Sequence, residues 1–298
     1  MINDILSSEF YLVIKNGDCF QSHLPDHVSY QAGLLNFMNV NPVEIQIVYI
    51  LDEKQTFDID IRVLERCEIN MIESKFLANG ATLNKNMYLA QDAHLHIFSE
   101  NNSGSAKSYE NVYLQENAIC QYGFAELSDG DFSGYYHYYL DGVGADAKVR
   151  MAILAKAKEN KYYEVLIKHN QPHTFGQMDN YGVVKDAGKL IIDGIGSITK
   201  GQHGSASHQT NKIMVFDSNC IAGANPYLYI DDFDVKASHA AGVGKMDEEH
   251  LYYLQSRGLS KKQAMHLITY GYLKPVIEVV DNEMLKERFE KALSKVGA

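Results

Sequence analysis

Two late residues carry side chains suited to iron or zinc. Cys220 can supply a thiolate and His239 an imidazole. Both fall close to the point where a β pattern gives way to a helical one, and together they form the candidate metal set, His239 and Cys220. Taken singly, Cys220 reads as a small buried hydrophobe and His239 as a hydrogen-bonded structural residue. His94 and His96, at two-residue spacing, would share one face of a strand. They could hold a metal only if a third ligand faced them, and otherwise read as surface histidines.

The remaining motifs exclude more than they suggest. Gly242-Val243-Gly244-Lys245-Met246 resembles part of a phosphate-binding loop, but His239 and Met246 stand where Gly and Ser or Thr are needed. The GIGSITKG stretch at 194–201 lacks the dinucleotide spacing. No G-x-S-x-G elbow occurs. Asp231 and Asp232 are adjacent, so on a strand they point to opposite faces and cannot share acid–base work. The chain therefore reads as having no catalytic machinery of its own. A polysaccharide-active enzyme remains as a rival on fold analogy alone, with no Trp to stack on sugars.

The elements that would position these residues are mostly strands. Asn16-Gly17 between two apolar runs predicts a hairpin. From Val43 the apolar period is two: Ile45, Ile47 and Tyr49 share a face, and Cys67, Ile69 and Met71 resume it. Apolar tetrads ending at Asp193, Asp217 and Asp231, with Gly-rich turns between, suggest coils of a stacked β-structure. A sandwich or jelly roll is the competing architecture. The stretch 149–160 fits either helix or strand.

After Gly242 the period becomes 3.6. Asp247 can cap a helix start, Gly258 suits its left-handed stop, and Ser260 with Gln263 forms a capping box. Pro275 is expected to break or kink the second helix, and a last amphipathic segment carries Leu285, Phe289 and Leu293. Leu251, Tyr252, Tyr253, Leu254, Leu267, Tyr270 and Tyr272 give more apolar face than a short helix pair needs. Packing on the end of the β core is one reading. Docking a partner, with Arg257 as polar anchor, is the other. The expected organisation is a mixed N-terminal region (1–42), a β core (43–242) and a helical region (243–298).

Composition narrows the class. The 298 residues carry a formal charge of −11, which disfavours nucleic acid and anionic membranes as partners. The first residues, MINDILSSEF, show neither a basic start nor an apolar run. Four cysteines without CxxC spacing argue against a zinc ribbon or a disulfide framework. A cytoplasmic protein with reduced thiols is the expectation.

One long segment carries a family resemblance. Residues 225–280 include a P-x-L-x-I strand, the segment D-V-x-x-S-H-x-A, then D-E-E-x-L-x-Y-L-x-S-R-G and G-Y-L-K-P-V-I-E. This resembles the C-terminal signature of the SufB/SufD family of iron–sulfur cluster assembly proteins, with weaker similarity back to about His173. The resemblance implies a right-handed parallel β-helix core followed by helices that dock a SufC-like ABC ATPase. It also implies pairing with a SufB/SufD-like subunit, or with itself, through the β-helix. The helical residues named above, with Arg257, become the docking candidates. His239 takes the place of the histidine implicated in cluster assembly at the pairing interface. No intrinsic cofactor is implied beyond a transient iron–sulfur cluster. Ala237 stands where SufD carries a cysteine, and the glutamates of the corresponding SufB segment are absent. Cys220, six residues before Pro226, is placed like a cysteine of SufB. The chain thus resembles a compact SufD-like member of the family.

Overall fold

In the computed structural model, which describes residues 5–38 and 41–277, strands dominate. The first four are β1 (Tyr11–Lys15), β2 (Asp18–His23), β3 (Val28–Gln31) and β4 (Leu34–Phe37). The long run that follows opens with β5 (Val43–Leu51), β6 (Thr56–Val63), β7 (Glu68–Leu77), β8 (Thr82–Leu89) and β9 (His94–Asn101). It continues through β10 (Ala106–Leu114), β11 (Ile119–Glu126), β12 (Phe132–Leu140), β13 (Asp146–Ala155) and β14 (Asn160–His169). It closes with β15 (Phe175–Val184), β16 (Lys189–Ile198), β17 (Ala206–Val215), β18 (Ile221–Ile230) and β19 (Lys236–Lys245). Two helices end the described chain, α1 (Glu248–Ser256) and α2 (Lys261–Ile277).

From β5 onward the odd-numbered strands form one parallel sheet and the even-numbered strands another, so each coil contributes one strand to each. This is a parallel β-solenoid. Val43 is level with Ile69, 26 residues later. Later coils are longer: Phe175 is level with Ala206, 31 residues on. The coil period is therefore not the spacing of the Asp-ending tetrads, which end at unequal heights; the architecture inferred from them is present, with a different repeat. The ambiguous stretch 149–160 is strand, turn and strand, because its inward row (Val149, Met151, Ile153) continues the columns above and below it.

Alternation explains why the chain stacks this way. In β12, FSGYYHYYL, every second residue is buried between the sheets and the others line the outside. No coil can bury its inward row alone, so each needs neighbours. The N-terminal hairpins extend the same sheets. β1 turns back into β2 through Asn16 (φ 52°) and Gly17 (φ 92°), as a tight hairpin requires, and pairs in parallel with β5. β4 joins β6. The N-terminal hairpins and the coils thus share the same two sheets.

The helices do not sit on the end of the solenoid. α2 lies on the outer face of the odd-numbered sheet, where Leu273 is buried with Ala125, Ala152, Leu154, Val183 and Phe216. Burying a leucine in this way is worth about 1.5–3 kcal/mol. The caps form as the sequence dictates: Asp247 accepts from the Glu249 amide at 2.8 Å, and Ser260 and Gln263 bond each other's backbone at 3.2 and 2.9 Å. Gly258 adopts φ 96°. α2 includes Pro275 and is helical up to Ile277, the last described residue, without the expected break. Leu285, Phe289 and Leu293 lie outside the described residues.

Candidate functional site: the open coil, the helical handle and a buried charge cluster

Among the described residues, the last coil is the one place where stacking stops at full length. β19 and β18 are the terminal strands of their sheets, and all ten residues of β19 are exposed. Val243, Ile221, Tyr227 and Tyr229 are exposed with them, and Phe233, at the turn between the two strands, is wholly so. Asp232 stiffens that turn by accepting from the amides of Gly201 (2.8 Å) and Asp234 (3.1 Å), which hold its carboxyl below the usual range.

His239 sits in the middle of β19. It is level with Gln209 of β17, on the row that faces inward in every lower coil. With no coil above it among the described residues, the imidazole stands at an open mouth. Cys220 lies elsewhere, in the turn that leads from β17 to β18. Its amide donates to the Asp217 carbonyl, and its sulfur is 3.8 Å from the Asp186 carbonyl. Burial pushes its thiol up, so the protonated form is favoured. His239 is level with the sixth residue before the end of β17, so it stands ~20 Å along the strand direction from the Cys220 turn. The structure does not bring the two together. Among the described residues no group of three or more His, Cys, Asp and Glu is placed to hold a metal ion. His94 and His96 line the outer face of the odd-numbered sheet, where partial burial lowers the His96 pKa. The GVGKM glycines lie within β19, Gly194 and Gly196 of GIGSITKG lie within β16 and Gly201 in the turn beyond it, so neither stretch forms a phosphate-binding loop before a helix.

The helical handle divides the docking candidates. Tyr252, Tyr253 and Leu267 are exposed, and Arg257 lies over the Tyr253 ring at 5.1 Å. Leu254, Tyr253, Leu267 and Ile268 border a groove of about 420 Å³ between the helices and Met214 of β17. Leu251, Tyr270 and Tyr272 are half-buried against the chain's own apolar layer. Tyr272 meets Tyr181 edge-on at 5.9 Å, and burial pushes its hydroxyl up to about 12. The outward half of the set is exposed among the described residues.

A third cluster escaped sequence reasoning. Inside the solenoid, Lys85 donates to Glu73 (2.6 Å), Glu110 (2.8 Å) and the Tyr122 hydroxyl (2.6 Å), and Lys75 pairs with Glu110. Tyr49 donates to Glu73 at 3.2 Å. All of these side chains are fully or almost fully buried. Burial alone would push the Glu110 carboxyl up, but Lys75 and Lys85 outweigh it and hold it at about 2. For Lys75 the balance runs the other way: burial disfavours its charge, and Glu110 and Glu73 raise it nonetheless. Next along, Glu126 accepts from Asn101 (2.7 Å), Tyr136 (2.8 Å) and Tyr163 (3.1 Å).

Comparison with known proteins decides the family. Residues 58–272 match the model of the SUF system FeS cluster assembly SufBD core domain. The chain belongs to the SufBD family. Among its relatives is the iron–sulfur cluster assembly protein SufD of Bacillus subtilis, 31% identical over 169 residues, which are 57% of this chain and 39% of that protein. The SufD protein of Escherichia coli is 26% identical over 156 residues, 52% of this chain and 36% of the relative. An iron–sulfur cluster assembly SufBD family protein of Staphylococcus saprophyticus aligns over 274 residues at 24% identity, 89% of this chain and 57% of the relative. This SufBD chain therefore spans little more than half, or less, of the length of these relatives. No described helix is long and apolar enough to cross a membrane.

Proposed function

We propose that this chain is a non-enzymatic, SufD-like scaffold subunit of a SUF-type iron–sulfur cluster assembly complex. It pairs through its last coil with a second SufB/SufD-like chain or with its own copy, and a SufC-like ABC ATPase grips its helices. The observation that carries the proposal is the unfinished solenoid. A terminal coil of backbone edges and exposed apolar side chains is what another chain's strands can extend or cover. Family membership supports the iron–sulfur setting, and the exposed face of α1 supports the docking role. The compartment in this reading is the cytoplasm.

His239 lies at the pairing surface with a metal-binding side chain, and the cluster is cargo built there with groups from the partner. His239→Ala, co-expressed anaerobically with an ATPase and a second SufBD chain, is expected to lower the iron and sulfide content of the complex several-fold while the fold is kept. Equal iron and sulfide in mutant and wild type would remove His239 from assembly. A second reading, a purely structural subunit that never touches iron, is favoured by the separation of Cys220 from His239. Full cluster assembly by the Cys220/His239 double variant would select it.

A further inference from the structure

The outer faces of the two sheets differ. On the even-numbered sheet every second residue keeps contact with solvent, as in β10, β12 and β14. On the odd-numbered sheet, β9, β11 and β13 each carry five successive buried residues, and β5 and β7 show the same run. Neighbouring residues of a strand point to opposite faces, so such a run means that the outside is covered as well as the inside. The outward members form a level row across successive strands: Val13, Val48, Ser74, Glu100 and Ala125, none more than 7% exposed. Beside them Ile72 of β7 and Phe98 of β9 belong to the apolar layer in which Leu273 of α2 is buried.

α2 accounts for part of this cover. Leu267 and Ile268 lie by Met214 of β17, Tyr272 meets Tyr181 of β15, and the helix packs on β15, β13 and β11. It therefore runs from the last coils toward the first, and its end at Ile277 points on toward β9. Ile5 and Ser7 bond Gln46 beside the buried row. The apolar layer continues past α2 to Ile72, and the burial of Val48 and Val13 continues past that.

We propose that residues 278–298 complete the cover, as an amphipathic strap that carries on from α2 across β9, β7 and β5 toward β1. Length fits. Twenty-one residues follow Ile277, and as a helix they span about 30 Å, whereas the four strand spacings from β11 to β1 come to about 19 Å. Spacing fits too. Leu285, Phe289 and Leu293 recur every fourth residue, about 6 Å apart on a helix, near the 4.8 Å between strands. Glu287 and Lys291 fall on the opposite side of such a helix, toward water. The strap ties the helices to the first coils as well as to the last, whatever the chain assembles.

Disulfide trapping in the full chain tests this, with Cys19→Ser to remove the exposed thiol. Val48→Cys is combined in turn with Leu285→Cys, Phe289→Cys and Glu287→Cys, oxidised at low protein concentration, and the links are located by peptide mass. The strap predicts an intrachain link in most molecules with Leu285→Cys or Phe289→Cys and little with Glu287→Cys, because a disulfide needs close, facing Cβ atoms. A link between two chains would give the face to a second copy. A link of Val48→Cys to Leu6→Cys, with none to the tail, would give it to the N-terminal residues. Either result, or no link in any pair, would overturn the proposal. Val48→Cys alone supplies an independent reading. Changing Leu285, Phe289 and Leu293 together to Asp is expected to speed its reaction with a maleimide by about tenfold or more, since a covered thiol reacts only when the cover opens. Unchanged reactivity would also overturn the strap.

Discussion

Lys85→Met is expected to destabilise the protein by about 3–5 kcal/mol, the range for removing one partner of a buried ion pair. The methionine keeps the volume of the stem, but Glu73 loses its ion pair and Glu110 keeps only Lys75. The two carboxylates then lie close together around the Tyr122 hydroxyl, which can donate its one proton to only one of them. Denaturant midpoints of wild type and variant give the difference. Converting Glu73, Glu110 and Lys75 to apolar residues in the same background is expected to return much of the loss, because no buried charge then remains unpaired in the set. A loss below 1 kcal/mol in the single variant would mean that water reaches the cluster.

The same cluster sets a pH dependence. Glu110 falls from an ordinary 4.5 to about 2 in the folded chain. Its contribution is therefore complete above about 4.5 and is lost as pH falls toward 2. Lys75 is raised, so its contribution holds up to the ordinary lysine range and disappears above it. Wild type should weaken steeply on the acid side, and Lys85→Met should show a smaller acid loss.

Tyr253→Asp is expected to abolish co-purification with the ATPase partner, with a loss of about 2 kcal/mol or more, roughly 30-fold in affinity. Tyr253 is half-exposed, borders the groove and carries Arg257 on its ring, so the substitution changes the outward face without emptying the apolar layer beneath α2. Leu254→Asp tests the same groove from its floor. Deleting residues 247–298 is a poorer test, since it strips the cover from Leu154, Val183 and Phe216. Undiminished co-purification of folded Tyr253→Asp would reject the docking role.

The strands and caps were legible because their signals are local. The hairpin at Asn16-Gly17, the Asp247 cap and the Ser260–Gln263 box each need only neighbouring residues, and each is present. The solenoid was legible from two-residue alternation, while its repeat was not, because coils of 25 to 32 residues differ in their turns rather than in their strands. The family signature was legible as ordered text, and the family model extends it back to residue 58. The interior charges were missed although a signal existed. The row Ile69, Met71, continued by two, reaches Glu73 and Lys75, so charged residues stood in an inward register. Their partners Lys85 and Glu110 come from β8 and β10 of the facing sheet, and no spacing within one strand reveals them. Cys220 and His239 lie close in sequence yet stand apart, because β18 carries the chain from one end of the coil to the other between them.

In the proposed working complex another chain covers the last coil. Amide hydrogen exchange across 236–245 tests it most directly, comparing the isolated chain with the anaerobically assembled complex. Alternate amides of β19 face the open edge, because β17 pairs on one side alone. These amides are expected to exchange fast in the isolated chain and to slow at least tenfold in the complex. Fast exchange along that edge in a complex that contains the ATPase and holds iron and sulfide would contradict the account.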